Sequence, residues 1–166
     1  MKTILTRMKT LVQNNQGSSQ TLSYVKFVEI CHPDISLLKI SKSLLPSIFL
    51  IPVDTSEDWQ ASQEKIQVNS VQAFLIMEYN QRELSIIGDS TRPQGKGILD
   101  FVQDFLTVFR DHRLSVDGTV YLDKPLEVLS VDYSRENLSE NAFLIVAAIS
   151  MRCTRLFLQT ILPGNI

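Results

Sequence analysis

The sequence predicts an α+β domain: a mostly antiparallel β-sheet flanked by an N-terminal helix and a central amphipathic helix at about 97–113. Apolar residues recur at i, i+3, i+4 and i+7 in residues 1–15, and more strongly after Gly97. The remaining β-rich runs are bounded by Pro, Gly, Asn and Asp turns. Because these strands come in groups and do not alternate with helices, the element order favours the α+β class over a parallel α/β sheet.

Length and composition indicate a single folded domain covering residues 1–166. The chain has 166 residues, of which 44% are hydrophobic and 20% charged, as in ordinary globular domains. The net charge of -2 provides no basic face, so no sequence-specific nucleic-acid partner is expected. No apolar run reaches the roughly 18 residues that span a bilayer, and residues 1–12 lack the features of a signal peptide. We therefore expect no membrane partner.

Cysteine usage favours a reducing compartment. Cys31 and Cys153 are the only two cysteines, and neither belongs to a Cys-x-x-Cys motif. We predict reduced core thiols in a cytosolic protein rather than a disulfide or a metal site.

The N-terminal half of the chain predicts one helix and two strands. Residues 1–15 form the helix, and the β-rich run 24–30 forms the first strand. Residues 35–45 fit either irregular structure or a short helix. The run 47–53 is a clear strand, and Pro46 and Pro52 near its ends indicate an edge or a capped end.

The rest of the chain predicts a loop, a helix and several strands. Residues 54–63 are polar and acidic, hold the only Trp, and predict a long exposed loop. A long strand over 65–79 and a helix over 97–110 follow. The other runs read as strands, the first of them weakly: 84–87, 119–122, 126–133 and 142–158.

The stretch "ELSIIGDSTRPQGKG", residues 83–97, most resembles an active site. Gly88-Asp89-Ser90 is similar to the nucleophile block of one class of serine hydrolases. Such enzymes need a His general base held by a carboxylate, usually in an Asp-x-x-His segment. Neither His32 nor His112 fits, since Phe109 stands three residues before His112. We expect no catalytic residue here.

The same stretch resembles the end of a phosphate-binding loop, but the motif is incomplete. Its first glycine is replaced by Ser90, and the hydroxyl residue that should follow Lys96 is replaced by Gly97. A connecting loop with a solvated lysine accounts for the residues, so no cofactor is expected. A small hydrolase or nucleotide-binding protein using residues 83–97 remains the alternative from another class.

The remaining charged residues suggest no metal or acid/base site. Asp54, Asp58 and Glu64 lack the glycine and spacing of a calcium loop. The pairs Glu57 with Asp58, and Asp132 with Glu136, are typical of solvated carboxylates. We therefore expect a protein that works by assembly rather than by catalysis.

The layout of the whole chain resembles the tail terminator (tail completion) proteins of long-tailed bacteriophages. An amphipathic helix is followed by the Pro-flanked strand "LPSIFLIP", a polar loop and a long strand ending "FLIMEY". A helix, "GILDFVQDFL", then leads to a strand beginning "PLEV" and to a final apolar strand. The run 84–88 and the C-terminal residues 159–166 depart from that layout.

The resemblance implies a structural virion protein of the phage tail or neck, assembled in the host cytoplasm. Such proteins form a homo-oligomeric ring, commonly a hexamer, at the head-proximal end of the tail tube. The ring stops polymerisation of the tail tube protein and meets the head-tail connector or neck protein, and also the tail sheath where the tail is contractile. Another neck, head-completion or tail-tube protein is the nearest alternative.

Two segments carry the residues that we expect at partner interfaces. Trp59 is an aromatic residue in the predicted exposed loop, and aromatic residues are enriched at interfaces. The segment "FLQTILPGNI" is apolar for a chain terminus, with Pro163-Gly164 turning it away from the last strand. Residues 159–166 are therefore a candidate docking tail, with contacts expected from Leu158, Ile161, Leu162 and Ile166.

Overall fold

The structure, a computed structural model, describes residues 1–34, 40–60, 64–79, 84–89, 95–139 and 142–158. These residues form three α-helices, five β-strands and a short 3-10 helix at Lys42–Leu44. The helices and strands, in chain order, are α1 (Lys2–Asn14), β1 (Phe27–Ile30), β2 (Ser47–Gln60), β3 (Glu64–Tyr79), α2 (Leu84–Ile87), α3 (Ile98–Phe109), β4 (Glu127–Ser139) and β5 (Ala142–Leu158).

The five strands form one sheet in the order β1-β2-β3-β5-β4. β1 pairs with β2 in parallel, and every other pairing is antiparallel. The α+β class with a mostly antiparallel sheet is therefore confirmed. Since each antiparallel pairing reverses direction, β2 and β4 run antiparallel to one another.

α1 and α3 cover one face of the sheet and form the main core with it. Both helices show the predicted apolar stripe: α1 buries all five of its predicted positions, and α3 buries three phenylalanines. They pack on the sheet residues Ile48, Leu50, Val71, Ala73, Leu75, Ile145, Ala147 and Ile149. The 3.6-residue period thus identifies the face that the helices bury.

α3 begins and ends close to the predicted limits. At its start, the Asp100 carboxylate accepts a hydrogen bond of 3.0 Å from the Gly97 amide, which satisfies a backbone donor that lies outside the helix. At its end, Arg110 has an extended backbone, with a ψ of 129°, and Asp111 follows with a left-handed φ of 59°. The helix therefore spans Ile98–Phe109 rather than reaching residue 113.

The opposite face of the sheet has a smaller apolar cluster at one end and small or polar residues in its middle. Leu45, Phe49, Ile76, Leu144 and Val146 form the cluster. Strand periodicity and register assign small or polar side chains to the middle of this face: Ser70, Gln72, Ser130, Asp132, Ser134, Ala148 and Ser150. We call these seven residues the polar face.

The prediction of a long exposed loop over 54–63 is wrong for residues 54–60. These residues continue β2 and pair with β3 from Asp54 opposite Ser70 to Gln60 opposite Glu64. Glu57 forms an ion pair with Lys65 and accepts a hydrogen bond of 2.9 Å from Gln67 across the ladder. Such cross-strand pairs let a polar sequence form a strand. Residues 61–63 lie outside the described part of the chain.

Three further predictions of local structure need correction. Residues 84–87 form the helical turn α2, not a strand. Residues 119–122 contribute one isolated bridge, Val116 with Thr119, around the Asp117-Gly118 turn, where both residues have positive φ. β1 begins at Phe27, because the backbone makes a turn from Leu22 to Val25.

Both cysteines are free thiols. Cys153 lies in the main core, and burial raises the pKa of its thiol to about 12. Cys31 is half-buried beside the smaller apolar cluster, and burial raises its pKa as well. The prediction of a core thiol is therefore confirmed for Cys153, whereas Cys31 lies at the rim of the apolar cluster.

Candidate functional site

The glycines of the stretch 83–97 are explained by the packing of a tight turn. Gly88 has a φ of 82°, and a Cβ atom there would clash with the Asp100 carboxylate and the Gly95 carbonyl oxygen. The Asp89 amide donates a hydrogen bond to that carbonyl. The turn thus holds α2 against the start of α3. Ser90, the candidate nucleophile, lies outside the described residues.

Lys96, the candidate phosphate ligand, is directed at a carboxylate of its own chain. Its Nζ lies 3.1 Å from Oδ2 of Asp104, and the Tyr24 hydroxyl donates a 2.9 Å hydrogen bond to the same oxygen. Burial, and then the charge of Asp104, raise the pKa of Tyr24 far above its usual range. The three side chains tie the segment before β1 to α3, so they have a structural role.

The two histidines lie in different environments. His112 follows α3, and its carbonyl oxygen accepts a 2.9 Å hydrogen bond from the Leu126 amide. Its Nδ1 is buried without a hydrogen-bond partner among the described residues, and burial lowers its pKa. His32 is exposed, with Nδ1 3.2 Å from the Asp34 carboxylate.

Neither a metal-binding cluster nor a membrane-spanning helix is found among the described residues. They contain no group of three or more His, Cys, Asp or Glu residues placed to hold a metal ion. Within the same part of the chain, no helix has the length and apolar content needed to cross a bilayer.

The outer edge of β4 is unpaired. β4 has 13 residues and pairs with β5 on one side, and no described residue pairs with it on the other. Two apolar side chains are exposed along it, Leu129 at 50% and Tyr133 at 49%. An unpaired edge presents free backbone donors and acceptors to any strand that comes alongside.

A groove of about 730 Å³ adjoins the start of this edge. The end of α3 forms one wall, with Leu106 and Arg110, and the start of β4 forms the other. Lys124 and Asp111 lie in the loop that closes the groove. We call it the β4 groove; it combines an apolar floor with charged walls.

A second unpaired edge lies on the other side of the sheet, along residues 52–60 of β2. The parallel pairing with β1 ends at Leu50, whose carbonyl accepts a 2.9 Å hydrogen bond from the Cys31 amide. Beyond that point no described residue flanks β2 on this side. A bulge at Val53 leaves that side chain 60% exposed, and Asp54, Glu57 and Asp58 follow. We call residues 52–60 the free β2 edge.

By contrast, the outer edge of β5 beyond Arg152 is covered by the loop 110–126. The Asp123 carboxylate accepts a 2.7 Å hydrogen bond from the Leu156 amide. Arg155 donates to the Tyr121 hydroxyl at 2.9 Å and lies 4.1 Å from the centre of its ring. This edge is therefore protected by the chain itself, whereas no described residue covers the β4 edge or residues 52–60 of β2.

The register places two of the predicted interface residues, Trp59 and Leu158, in adjacent rows at the same end of the sheet. Trp59 lies in β2 opposite Lys65, and Leu158 ends β5 opposite Glu64, with the side chains of Trp59 and Leu158 outside the described part. Ile161, Leu162 and Ile166 also lie outside it.

The sequence analysis did not identify Val53 or the β4 groove. The alternation of apolar Val131 and Tyr133 with polar Ser130, Asp132 and Ser134 was a usable signal for an apolar side of β4.

Comparison with known proteins gives no relative: no family model matches the chain, and a search of curated proteins finds no match.

Proposed function

We propose that the chain is a structural subunit that joins its own copies edge to edge into a ring, as a tail terminator of a long-tailed bacteriophage. The observation that carries this proposal is the pair of unpaired edges, β4 on one side of the sheet and residues 52–60 of β2 on the other. Because these strands run antiparallel, residues 52–54 of one copy can lie alongside the start of β4 of the next copy with the strand alternation preserved.

Such a contact is heterologous, since it joins two different surfaces of the same subunit. Repeated heterologous contacts close into a ring when the rotation between copies closes, and otherwise build a filament. The layout of the sequence, which resembles tail terminators, favours the closed ring, commonly of six subunits.

The polar face suits the inside of such a ring. Its Ser, Gln, Ala and Asp side chains are small or polar, and Ser130, Asp132 and Ser134 are exposed. Because α1 and α3 lie on the other face, they would be on the outside of the ring.

We propose that the protein is located in the tail or neck of the virion and is assembled in the host cytoplasm. The ring would contact the tail tube protein at one end and the head connector or neck protein at the other. A contractile tail adds contact with the sheath.

The two ends of the sheet differ, which favours a terminator over a tail-tube subunit. One end is formed by strand ends alone, where Gln60 and Leu158 lie on either side of Glu64. The other end, where β3 finishes at Tyr79 and α2 follows, has Ile86 and Ile87 exposed. A tube subunit must bind a copy of itself at both ends, whereas a terminator must bind different partners.

The test is the mass and shape of the purified full-length chain. We expect one oligomer of defined mass by light scattering, with closed rings in electron micrographs and no tubes. Added to polymerising tail tubes, the rings should cap them and fix their length. A protein that stays monomeric at high concentration, or that polymerises into tubes itself, contradicts the proposal.

The hydrolase alternative has its own test. Ser90→Ala should leave ring formation and tube capping unchanged, because an Asp-x-x-His segment is missing from the sequence. Ester hydrolysis by the wild-type protein that disappears in this variant would favour the enzyme instead.

A further inference from the structure

Building on the proposed ring, we propose that the free β2 edge of one copy docks against the start of β4 and the β4 groove of the next copy. The occupant of the groove is thus a second copy of this chain. The acidic strand beyond Val53 meets the basic side chains Arg110 and Lys124.

The first argument is that both edges carry a β-bulge at nearly the same height of the sheet. Val53 is the extra residue between Pro52 and Asp54, and Leu129 is the extra residue between Val128 and Ser130. The two bulges flank the same row of the sheet, Pro52, Val71, Met151 and Val128, on opposite sides. Val53 lies on the side of Asp54 and Glu127, and Leu129 lies on the side of Ile51 and Ser130, so the bulges are about one row apart.

Each bulge exposes one apolar side chain where the neighbouring chain would lie. Val53 and Leu129 are among the most exposed large apolar residues of the described chain. Bulges bend a strand and re-aim its side chains. At this height β1 has already ended at Ile30, opposite Leu50, so β2 is the outermost described strand. Two copies related by rotation can therefore bring Val53 towards the apolar floor of the β4 groove with little axial shift.

The second argument is the balance of uncompensated charge on the two surfaces. In the β4 groove, the Glu127 carboxylate forms an ion pair with Arg152, with Oε2 3.6 Å from Nη1. The side chains of Arg110 and Lys124 also line the groove, and neither makes an ion pair with a described residue. Asp111 is the groove's remaining carboxylate, so the uncompensated charge is positive.

The free β2 edge has the opposite balance. Glu57 is compensated by Lys65. Asp54 and Asp58 are exposed and make no ion pair within the described part of the chain. A negative strand thus faces a positive groove, an arrangement that steers association and fixes register.

Pairing of β4 with the β4 of another copy is less favourable. Asp132 and Glu136 lie on the same side of β4, so a two-fold pairing would place four carboxylates on one face of the joint. Docking limited to the start of β4 leaves both of these residues outside the contact.

A charge-swap experiment on the full-length chain tests the docking. Lys124→Glu reverses the groove and Asp54→Lys reverses the edge; both residues are exposed, so circular dichroism should be unchanged. Each single reversal should raise the protein concentration at which rings form by about tenfold. The double variant should recover most of the loss. Lys26→Glu, at an exposed residue away from both surfaces, is the matched control and should assemble like wild type.

The other outcomes overturn the inference in distinguishable ways. Rings that form equally well in every variant, or that the double variant fails to restore, refute this docking while the ring itself stands. A two-fold dimer that Leu129→Lys disrupts and Asp54→Lys does not would assign β4 to self-pairing. A wild-type protein that remains monomeric refutes both the docking and the ring.

Discussion

Phe105 is the side chain on which the packing of α3 depends most directly. It is fully buried in the main core, and its ring centre lies 4.5 Å from that of Phe109. The carboxylate of Asp104, next to it in the sequence, points out of the core and holds Lys96 and Tyr24. Phe105 thus packs in the core, while the neighbouring Asp104 attaches the segment before β1 to the same helix.

Phe105→Ala should lower the free energy of unfolding by about 3–5 kcal/mol, because it removes a fully buried ring and leaves a cavity. The measurement is denaturant unfolding of the two proteins. Leu99→Ala, on the partly exposed side of the same helix, is the control and should cost less than about 1 kcal/mol. Equal losses in the two variants would mean that the helix face is assigned wrongly.

At the scale of elements, the turn between α2 and α3 depends on a glycine in a crowded site. Gly88→Ala should destabilise the protein by at least about 1–3 kcal/mol, because the left-handed backbone and the lack of space both oppose a Cβ atom. Thermal unfolding would report the loss.

Gly118→Ala is the matched control for that change. Gly118 also has a positive φ, of 75°, but no atom lies within 4 Å of the position that a Cβ atom would take there, so only the backbone strain of about 1 kcal/mol applies. A Gly88→Ala variant no less stable than Gly118→Ala would contradict the crowding argument.

Sequence periodicity predicted the elements with a strong one-sided or continuous apolar pattern. α1, β3 and β5 lie within a residue or two of the predicted limits, and α3 ends four residues before residue 113. It failed for residues 54–60, where the strand is stabilised by pairing with β3 rather than by its own composition. It also failed for 84–87, since four apolar residues fit a helical turn and a strand equally well.

The candidate site was less predictable than the fold, for a physical reason. An unpaired edge is a property of strand order, and the order β1-β2-β3-β5-β4 depends on contacts between residues far apart in the chain. One sequence gives no pairing partners. Pro46 and Pro52 indicated an edge or a capped end for the strand 47–53, but the sequence gives no sign of the unpaired edge of β4. Residue type alone points to Trp59 and Leu158, and their role at an interface stays a prediction.

For the whole molecule, the described residues before 159 already form a large main core between the sheet, α1 and α3. Removal of residues 159–166 should therefore leave the domain folded, while ring formation or attachment to tail tubes weakens because Ile161, Leu162 and Ile166 are lost. Circular dichroism and ring mass, measured on the same sample, separate the two effects. An unfolded variant would mean that the tail packs on its own domain, and one that assembles normally would remove the tail from the interface.

The position of β5 has a consequence for how the chain folds as it is made. β5 is the last of the five strands to be synthesised, yet it lies between β3 and β4 and joins them into one sheet. Until it emerges from the ribosome, the 16 residues of β3 have one edge without a partner, which invites aggregation. Ribosome-bound chains arrested at residue 139 should be digested rapidly by protease, and chains that display residue 158 should resist. Protease resistance of the chain arrested at residue 139 would mean that a stable structure forms before β5 is made. If that chain is digested, the nascent protein needs protection from aggregation until β5 is synthesised.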